Sequence, residues 1–316
     1  PVKDAKLTPR ITQTARMLWV VYVAITAACA AGYFLAGMSV FDAIGHAFST
    51  VAIGGFSHYD ASMGYFESRA VELVAVFFML VGAMNFGLHF VAWRSGRFGI
   101  YWRDPECAAF LRLMLVLCMV TVTYLLIAGD YDDTLELATD GVFQAISVAT
   151  TTGFTTSHFH HWPGGLPVLL LFASFIGGCA GSTAGGLKVV RCLLLVKQGR
   201  REIIRLVHPN AEIPVQLGGR AVPLRIVDAV WGFFAVYVGV FAVLMLSLMA
   251  TGLDQVTAFS AIAATLNNLG PGLGGVAQNY AAIGPVGKWI CVLAMLLGRL
   301  EIFTLLILFT VTFWRK

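Results

Sequence analysis

The stretch "SVATTTGFTTSHF" at 147–159 sets polar, turn-prone residues between two long apolar segments. Threonines next to a glycine offer many oxygen atoms, both from hydroxyl groups and from backbone carbonyls. A dehydrated alkali cation needs such oxygens in place of its water, and channels supply them from rings of backbone carbonyls. Glycine permits at low cost the unusual backbone angles that turn successive carbonyls to one side. Cation coordination is the chemistry that this stretch favours, and a capped turn is the alternative for one such stretch alone.

Two other parts of the chain repeat this pattern. The segment "FDAIGHAFSTVAIGGFS" at 41–57 aligns without a gap with 139–155, at a constant offset of 98. A third copy, "TAFSAIAATLNNLGPGLGG" at 257–275, has a proline where the other two have a phenylalanine. A glycine lies in register in all three copies, at Gly55, Gly153 and Gly270. Repetition favours an ion pathway over an isolated turn.

The composition is that of an integral membrane protein. Of the 316 residues, 58% are hydrophobic and only 12% are charged, whereas roughly a quarter of the residues in a soluble domain are charged. The mean hydropathy is +0.80, and the net charge of +4 gives no argument for nucleic-acid binding. A membrane-spanning helix needs about 20 apolar residues. Such runs lie near 17–38, 70–93, 108–128, 166–196, 226–251 and 285–314.

Shorter apolar stretches lie between the members of successive pairs of spans, near 41–53, 137–150 and 254–266. At about 10–14 residues they are too short to cross a bilayer and suit re-entrant helices, which are tolerated at membrane depth only inside protein or beside water. The carbonyl end of such a half-helix carries partial negative charge and favours a cation. We expect an all-α membrane protein in which span, half-helix with loop, and span repeat in units 1–106, 107–222 and 223–316.

The distribution of basic residues predicts the orientation. The stretch 129–165 contains no lysine or arginine but several acidic residues. The junctions between units carry Arg94, Arg97, Arg103, Arg191, Lys197, Arg200, Arg201 and Arg205. Because cytoplasmic loops are enriched in lysine and arginine, we expect cytoplasmic junctions and half-helix loops that open outward. The polar opening at 1–10 lacks a signal-peptide pattern and indicates a segment cut from a longer chain.

A glycine-rich stretch, "GGCAGSTAGG" at 177–186, interrupts the second span of the middle unit. A helix propagates poorly through five glycines, since each costs about 1 kcal/mol relative to alanine. The overlapping stretch "GSTAGGLK" at 181–188 nearly matches a phosphate-binding P-loop. However, Leu187 occupies the lysine position, and no strand precedes the stretch. Tight helix packing is a second alternative. We favour a flexible obstruction just below the half-helix loops.

Two charged residues, Arg299 and Glu301, lie well inside the last span. Intramembrane charges are rare and indicate function unless a structural pairing explains them. We predict that Arg299 lies beside the 177–186 loop, where it repels cations and holds loop carbonyls. Glu301 is expected to bond loop amides or hydroxyls, or another span. Lys188 is expected to be an interface anchor.

Other polar residues give weaker indications. The six cysteines lie mostly in apolar runs without metal-binding spacing, so we expect buried, reduced thiols. For the outer histidines, solvated side chains and a metal site both remain open: His58, His158, His160 and His161. No nucleophile–base set is visible, which argues against an enzyme.

Five segments carry a family resemblance: "TVAIGGFSHYD", "ATTTGFTTSHF", "NNLGPGLGG", "GGCAGSTAGGLK" and "LGRLEIF". They closely resemble the Trk/Ktr/HKT potassium-transport superfamily, over essentially the whole chain. That superfamily has four M1–P–M2 units (span, pore helix with loop, span) around one pore. The resemblance implies that this chain carries units two to four, that one unit lies upstream of Pro1, and that the protein lies in a bacterial inner membrane.

The resemblance also implies the site residues. The K⁺ filter would be formed by Ala52, Ile53, Gly54, Gly55, Thr150, Thr151, Thr152, Gly153, Asn267, Asn268, Leu269 and Gly270. The gate would be formed by Gly177, Gly178, Gly181, Ser182, Thr183, Gly185, Gly186, Arg299 and Glu301. K⁺ would be the transported ion, with no covalently bound cofactor. In the superfamily a serine at the glycine position of the first unit goes with sodium permeation, so K⁺ preference is inferred from the remaining units.

Partners follow from the same resemblance: a second copy of the chain in a homodimer, and a cytoplasmic nucleotide-binding subunit similar to TrkA. The basic segment 197–222 is on the side expected for docking, with anionic lipid as the alternative. Transport itself has two hypotheses, conduction through a loop-gated pore and symport of K⁺ with Na⁺ or H⁺. Symporters that work by alternating access show inverted repeats. The copies in this chain run in the same direction, which favours conduction.

Overall fold

The computed structural model describes residues 11–129, 131 and 133–315. The polar opening at 1–10 lies outside the described residues. The chain is mostly helical, with one short hairpin. In chain order the helices are α1 Ile11–Leu35, α2 Val40–Val51, α3 Arg69–Ala83, α4 Phe86–Ser95, α5 Ile100–Arg103, α6 Pro105–Ala128, α7 Thr134–Ala149, α8 Leu166–Ser174, α9 Val189–Val207, α10 Leu224–Met249, α11 Gln255–Leu266, α12 Pro285–Arg299, α13 Ile302–Leu306 and α14 Val311–Trp314. Strands β1 Gln216–Leu217 and β2 Arg220–Ala221 pair antiparallel.

Among the described residues, three helices are long and apolar enough to cross a membrane without a break: α1 over Ala15–Leu35, α6, and α10. They coincide with the predicted spans at 17–38, 108–128 and 226–251. Less than a third of each span is buried inside the protein, so most of its apolar surface is available to lipid. This is the expected environment for helices that are hydrophobic all round.

Short helices lie where half-helices are predicted, at α2, α7 and α11. Each begins at a polar N-cap that satisfies a free amide: Ser39 accepts from Asp42, Asp133 from Leu135, and Asp254 from Thr257. The 12 residues of α2 and of α11 rise only about 18 Å at 1.5 Å per residue. They are too short for a hydrocarbon layer of about 30 Å.

Protein surrounds the C-terminal parts of α7 and α11. Every residue from Phe143 to Ala149 and from Ser260 to Leu266 is buried. Helix α7 packs against α6, α3 and α8, and α11 against α10, α12 and α8. Enclosure of this kind is what a non-spanning helix requires at membrane depth.

The second members of the predicted span pairs are broken, and here the sequence analysis is only partly right. It predicts an interruption in the middle pair, which the structure has between α8 and α9. It predicts spans near 70–93 and 285–314 without a break in either, and the structure has one in both. Helices α3 and α4 meet at 98°, and the final segment divides into α12, α13 and α14.

Contacts from the 177–186 stretch explain the first of these breaks. The amide of Cys179 donates to the carbonyl of Ala83 at 2.8 Å. The last carbonyl of α3 therefore accepts from that stretch and not from a further turn of the helix. Asn85 then starts α4 by accepting from the amide of Gly87 at 2.7 Å. In the last segment, Glu301 has a left-handed backbone with φ of 58°, which ends the helical run after Arg299.

Candidate functional site

Three segments, which we call the glycine segments, have the same backbone conformation: 52–55, 150–153 and 267–270. The first residue of each closes the preceding short helix in the right-handed conformation. The second residue has positive φ despite a side chain: Ile53 52°, Thr151 66° and Asn268 56°. The fourth residue is a glycine with positive φ: Gly55 67°, Gly153 85° and Gly270 102°. Positive φ is uncommon outside glycine, so its recurrence at one position in three copies marks a constrained functional geometry.

Backbone amides of the glycine segments bond back to the short helices. Ile53 donates to the carbonyl of Thr50 at 3.1 Å and Gly54 to that of Ser49 at 2.8 Å. The equivalent bonds measure 3.0 and 2.8 Å in 150–153, and 3.1 and 2.7 Å in 267–270. Within the described ranges, no protein donor bonds to the carbonyl oxygens of Ile53, Thr151 or Asn268. Amides are thus satisfied on one side while carbonyl oxygens stay available on the other.

The glycine segments also contact one another. A Cβ added to Gly55 would overlap the carbonyl of Thr152, and one added to Gly153 would overlap the carbonyl of Leu269. The segments therefore pack side by side in chain order, 52–55 against 150–153 and 150–153 against 267–270. Only glycine allows backbones to approach this closely.

The open side of this arrangement faces a cleft. A Cβ on Gly270 would meet no atom of the described chain within 4 Å. A mainly apolar cleft of about 980 Å³ lies between the first and third glycine segments, with Gly55, Phe48, Gly270, Val292 and Met295 among its lining residues. Two of the three segments thus flank a space large enough for further side chains.

The 177–186 stretch, here called the intramembrane loop, lies where the three short helices end and the glycine segments begin. The amide of Gly185 donates to Oγ1 of Thr151 at 2.7 Å, and Oγ1 of Thr183 donates to the carbonyl of Val51 at 2.8 Å. Gly185 also packs against the carbonyl of Asn267. The loop therefore touches or adjoins the ends of all three short helices.

A cavity of about 320 Å³ separates the loop from α9 and α12, and Lys188, Arg191, Arg299 and Glu301 are among its lining residues. Arg299 donates to the carbonyl of Thr183 at 3.1 Å. The predicted contact between Arg299 and the loop is thus present. Three cationic side chains and one carboxylate give this cavity a positive excess.

The structure places Glu301 and Lys188 differently. Arg191 of α9 donates to the carboxylate of Glu301 at 2.8 Å. Of the two partners expected for Glu301, loop groups or another span, the structure shows a bond to another helix. The Arg191 guanidinium also lies 4.2 Å from the centroid of the Phe233 ring. The prediction that Lys188 is an interface anchor is wrong, because its ammonium donates to the carbonyl of Ala184 in the loop.

Sequence reasoning missed two residues that fix the loop. The carboxylate of Glu106, completely buried, accepts from the amides of Ala180 at 2.6 Å and Val190 at 3.2 Å. Asn85 donates to the carbonyl of Ala180 at 2.6 Å. Glu106 follows Asp104 and Pro105 at the start of α6, where an acidic residue is expected for helix capping alone. Only an acidic residue on the edge of a long apolar run could have signalled a second role.

The remaining loops hold isolated polar groups. All six cysteines are free thiols, and each is buried or half-buried, as predicted. His158, His160 and His161 cluster in the loop before α8, where burial and the two neighbouring imidazoles lower the pKa of His160. The pKa of Asp133 is lowered by the backbone amide of Leu135 and by Arg69, whose guanidinium lies 2.6 Å away.

Comparison with known proteins decides the family. The family model described as "TrkH: Cation transport protein" matches residues 1–315. The chain belongs to the TrkH family. Similar proteins include the Trk system potassium uptake protein TrkH of Vibrio parahaemolyticus, 56% identical over 100% of this chain and 66% of that protein. The TrkH of Escherichia coli K12 is 53% identical over 100% of this chain and 65% of that protein.

A solved structure of the family has the same fold. The crystal structure of the potassium transporter TrkH from Vibrio parahaemolyticus matches with a TM-score of 0.94 and 55% identity, covering 100% of this chain and 68% of that one. The chain thus spans about two thirds of the length of these family members. These relatives are named as potassium uptake proteins or transporters, not as enzymes.

Proposed function

We propose that this chain forms three sides of a K⁺ conduction pathway across the bacterial inner membrane, with the glycine segments as its selectivity filter. The shared backbone of the three segments carries the proposal. Residues of alternating handedness, with their amides bonded back to the short helices, direct carbonyl oxygens away from those helices. Such oxygens replace the hydration shell of a dehydrated cation.

The repeated architecture supports the same proposal. Units 1–106, 107–222 and 223–316 would each supply a span, a re-entrant pore helix with its glycine segment, and a second span. The cleft between 52–55 and 267–270 is the position for a fourth segment, from the unit that the family resemblance puts upstream. A ring of four would then enclose the ion as a ring of carbonyls does in channels.

Gating would reside in the intramembrane loop. Five of the ten residues in the loop are glycine, which gives its backbone freedom to move. Contacts through Thr183, Gly185 and Arg299 hold the loop under the filter. Cations leaving the filter would meet the loop and the positive excess of the cavity beside it. Release of these contacts would open the path.

The charge pattern supports the orientation, and the family resemblance implies the partners. The basic face of α9 and the hairpin after it would lie in the cytoplasm and meet a TrkA-like nucleotide-binding subunit. The chain would also pair with a second copy in a homodimer. Arg200, Arg201 and Arg205 on α9 supply the charge for docking, with anionic lipid as the competing contact. The glycine segments would face outward.

Tracer uptake tests the proposal. Full-length protein in K⁺-loaded liposomes should take up tracer rubidium, driven by the inside-negative potential of the outward K⁺ gradient, with external K⁺ competing and Na⁺ competing poorly. Uptake equal to that of empty liposomes would reject the proposal. A reversal potential that follows an imposed proton or sodium gradient would replace conduction by symport.

A further inference from the structure

Three potential metal ligands converge beside the first glycine segment, and neither the filter nor the gate uses them. Asp42, His46 and His58 each present one ligand atom, and these atoms all lie within 4.8 Å of one another. Nδ1 of His58 is 3.5 Å from Oδ1 of Asp42, and the two imidazole rings are 5.0 Å apart at 84°. Among the described residues, this is the one group of three or more such side chains with this spacing.

His46 is already oriented as a ligand. Its Nδ1 lies 2.8 Å from the carbonyl of Asp42, and because a carbonyl only accepts, this nitrogen carries the proton. Nε2 is left with its lone pair, 2.9 Å from the hydroxyl of Ser57. A bond from the second ring nitrogen to a backbone carbonyl is the usual way in which proteins fix a metal-binding histidine.

His58 is held over the same point by shape. A Cβ added to Gly45 would overlap the imidazole of His58, so glycine at this position lets the ring pack directly on α2. Phe41 stacks on its other side with ring centroids 4.9 Å apart. His58, Ser57 and Gly45 all line the large cleft, which gives an ion a route to the ligands.

The next unit provides an internal comparison. At the alignment offset of 98, Asp42 corresponds to Asp140, His46 to Gln144 and His58 to Thr156. Asp140 accepts from the Thr156 hydroxyl at 3.0 Å, and Gln144 donates to the carbonyl of Ser157 at 3.1 Å. A carboxylate, an amide and a hydroxyl therefore suffice to tie the loop to the pore helix. The two imidazoles add only what the other unit lacks, a pair of nitrogen donors of the kind that zinc prefers.

We propose that Asp42, His46 and His58 bind a divalent transition-metal ion of the zinc type. Two imidazoles and a carboxylate suit Zn²⁺. Tetrahedral ligands at about 2.0–2.1 Å from zinc lie about 3.3 Å from one another, so no pair of ligand atoms has to close by more than about 1.5 Å as the exposed His58 turns inward. Ser57 or water supplies the fourth ligand. The bound ion ties the start of α2 to the chain that leaves Gly55.

Zinc binding to the full-length, tag-free protein in detergent tests this site. Calorimetric titration with ZnCl₂ should show one site per chain, and Co²⁺ should give the visible absorption of a tetrahedral complex. The double substitution His46→Gln with His58→Thr copies the next unit and keeps its loop-tethering groups. It should abolish both signals, whereas His58→Ala should weaken affinity by more than the ~10–100-fold that loss of an outer-shell partner causes.

The control carries His160→Ala and His161→Ala, which remove imidazoles that belong to no group of potential metal ligands among the described residues. This control should bind like the parent protein. Loss of binding in the control, unchanged binding in the double variant, or no binding by the parent would each overturn the site. The measurement needs no ion flux, so it is independent of the proposed conduction.

Discussion

Replacing Arg299 by alanine should increase resting ion flux. The substitution removes the bond of 3.1 Å to the carbonyl of Thr183 and one positive charge from the cavity below the glycine segments. A hydrogen bond to a charged group contributes about 1.5–3 kcal/mol. Because Arg299 is exposed to the cavity, we take the lower value, which corresponds to about a tenfold shift toward the open loop.

Rubidium uptake into liposomes measures this shift directly. Arg299→Lys keeps the charge but not the guanidinium geometry, so its flux should lie between those of the parent and the alanine variant. Arg225→Ala on α10 removes an exposed arginine that lines neither cavity and should leave flux unchanged. Equal flux in Arg299→Ala and the parent would refute the role of this contact in closing the path.

Three further predictions concern the packing of the glycine segments, the contact of Glu106 with the 177–186 loop, and the ion pair between Asp133 and Arg69. Gly153→Ala should abolish uptake, because a Cβ at φ of 85° overlaps the Leu269 carbonyl; Gly239→Ala, with open space around it, is the control, and equal uptake in both variants would count against the close packing. Glu106→Ala should lower the thermal midpoint, since about 1–3 kcal/mol is lost for each buried amide left without a partner; the exposed Glu212→Ala should not, and an unshifted midpoint for Glu106→Ala would contradict the tether. The pKa of Asp133 is lowered in the folded state by the Leu135 amide and Arg69, so its stabilisation is present above its ordinary value of 3.8 and is lost as pH falls further. Asp133→Asn should therefore lower the thermal midpoint at pH 7 but not in the acid range below that value, and a difference that persists in acid would exclude the ionised pair.

Much of this architecture follows from sequence because short-range physics determines it. Apolar length separates α1, α6 and α10 from the short α2, α7 and α11. Glycine in register predicts the positions of the special backbone. Neither signal depends on which distant segment lies nearby.

The features that sequence reasoning missed depend on distant contacts. The break after Ala83 exists because the amide of Cys179, almost a hundred residues later, donates to the Ala83 carbonyl. Glu106 and Ala180, and Arg191 and Glu301, likewise meet only in the folded chain. His46 gave no signal of its own, because one histidine in an apolar helix becomes a candidate ligand only when His58 lies beside it.

The location of a bound ion tests the central claim most directly. Crystals of the full-length protein grown with rubidium or thallium should give anomalous density surrounded by the carbonyl oxygens of Ile53, Thr151 and Asn268. Density confined to the outer loops, with none between these three carbonyls at saturating ion concentration, would contradict the claim that the glycine segments coordinate the transported cation.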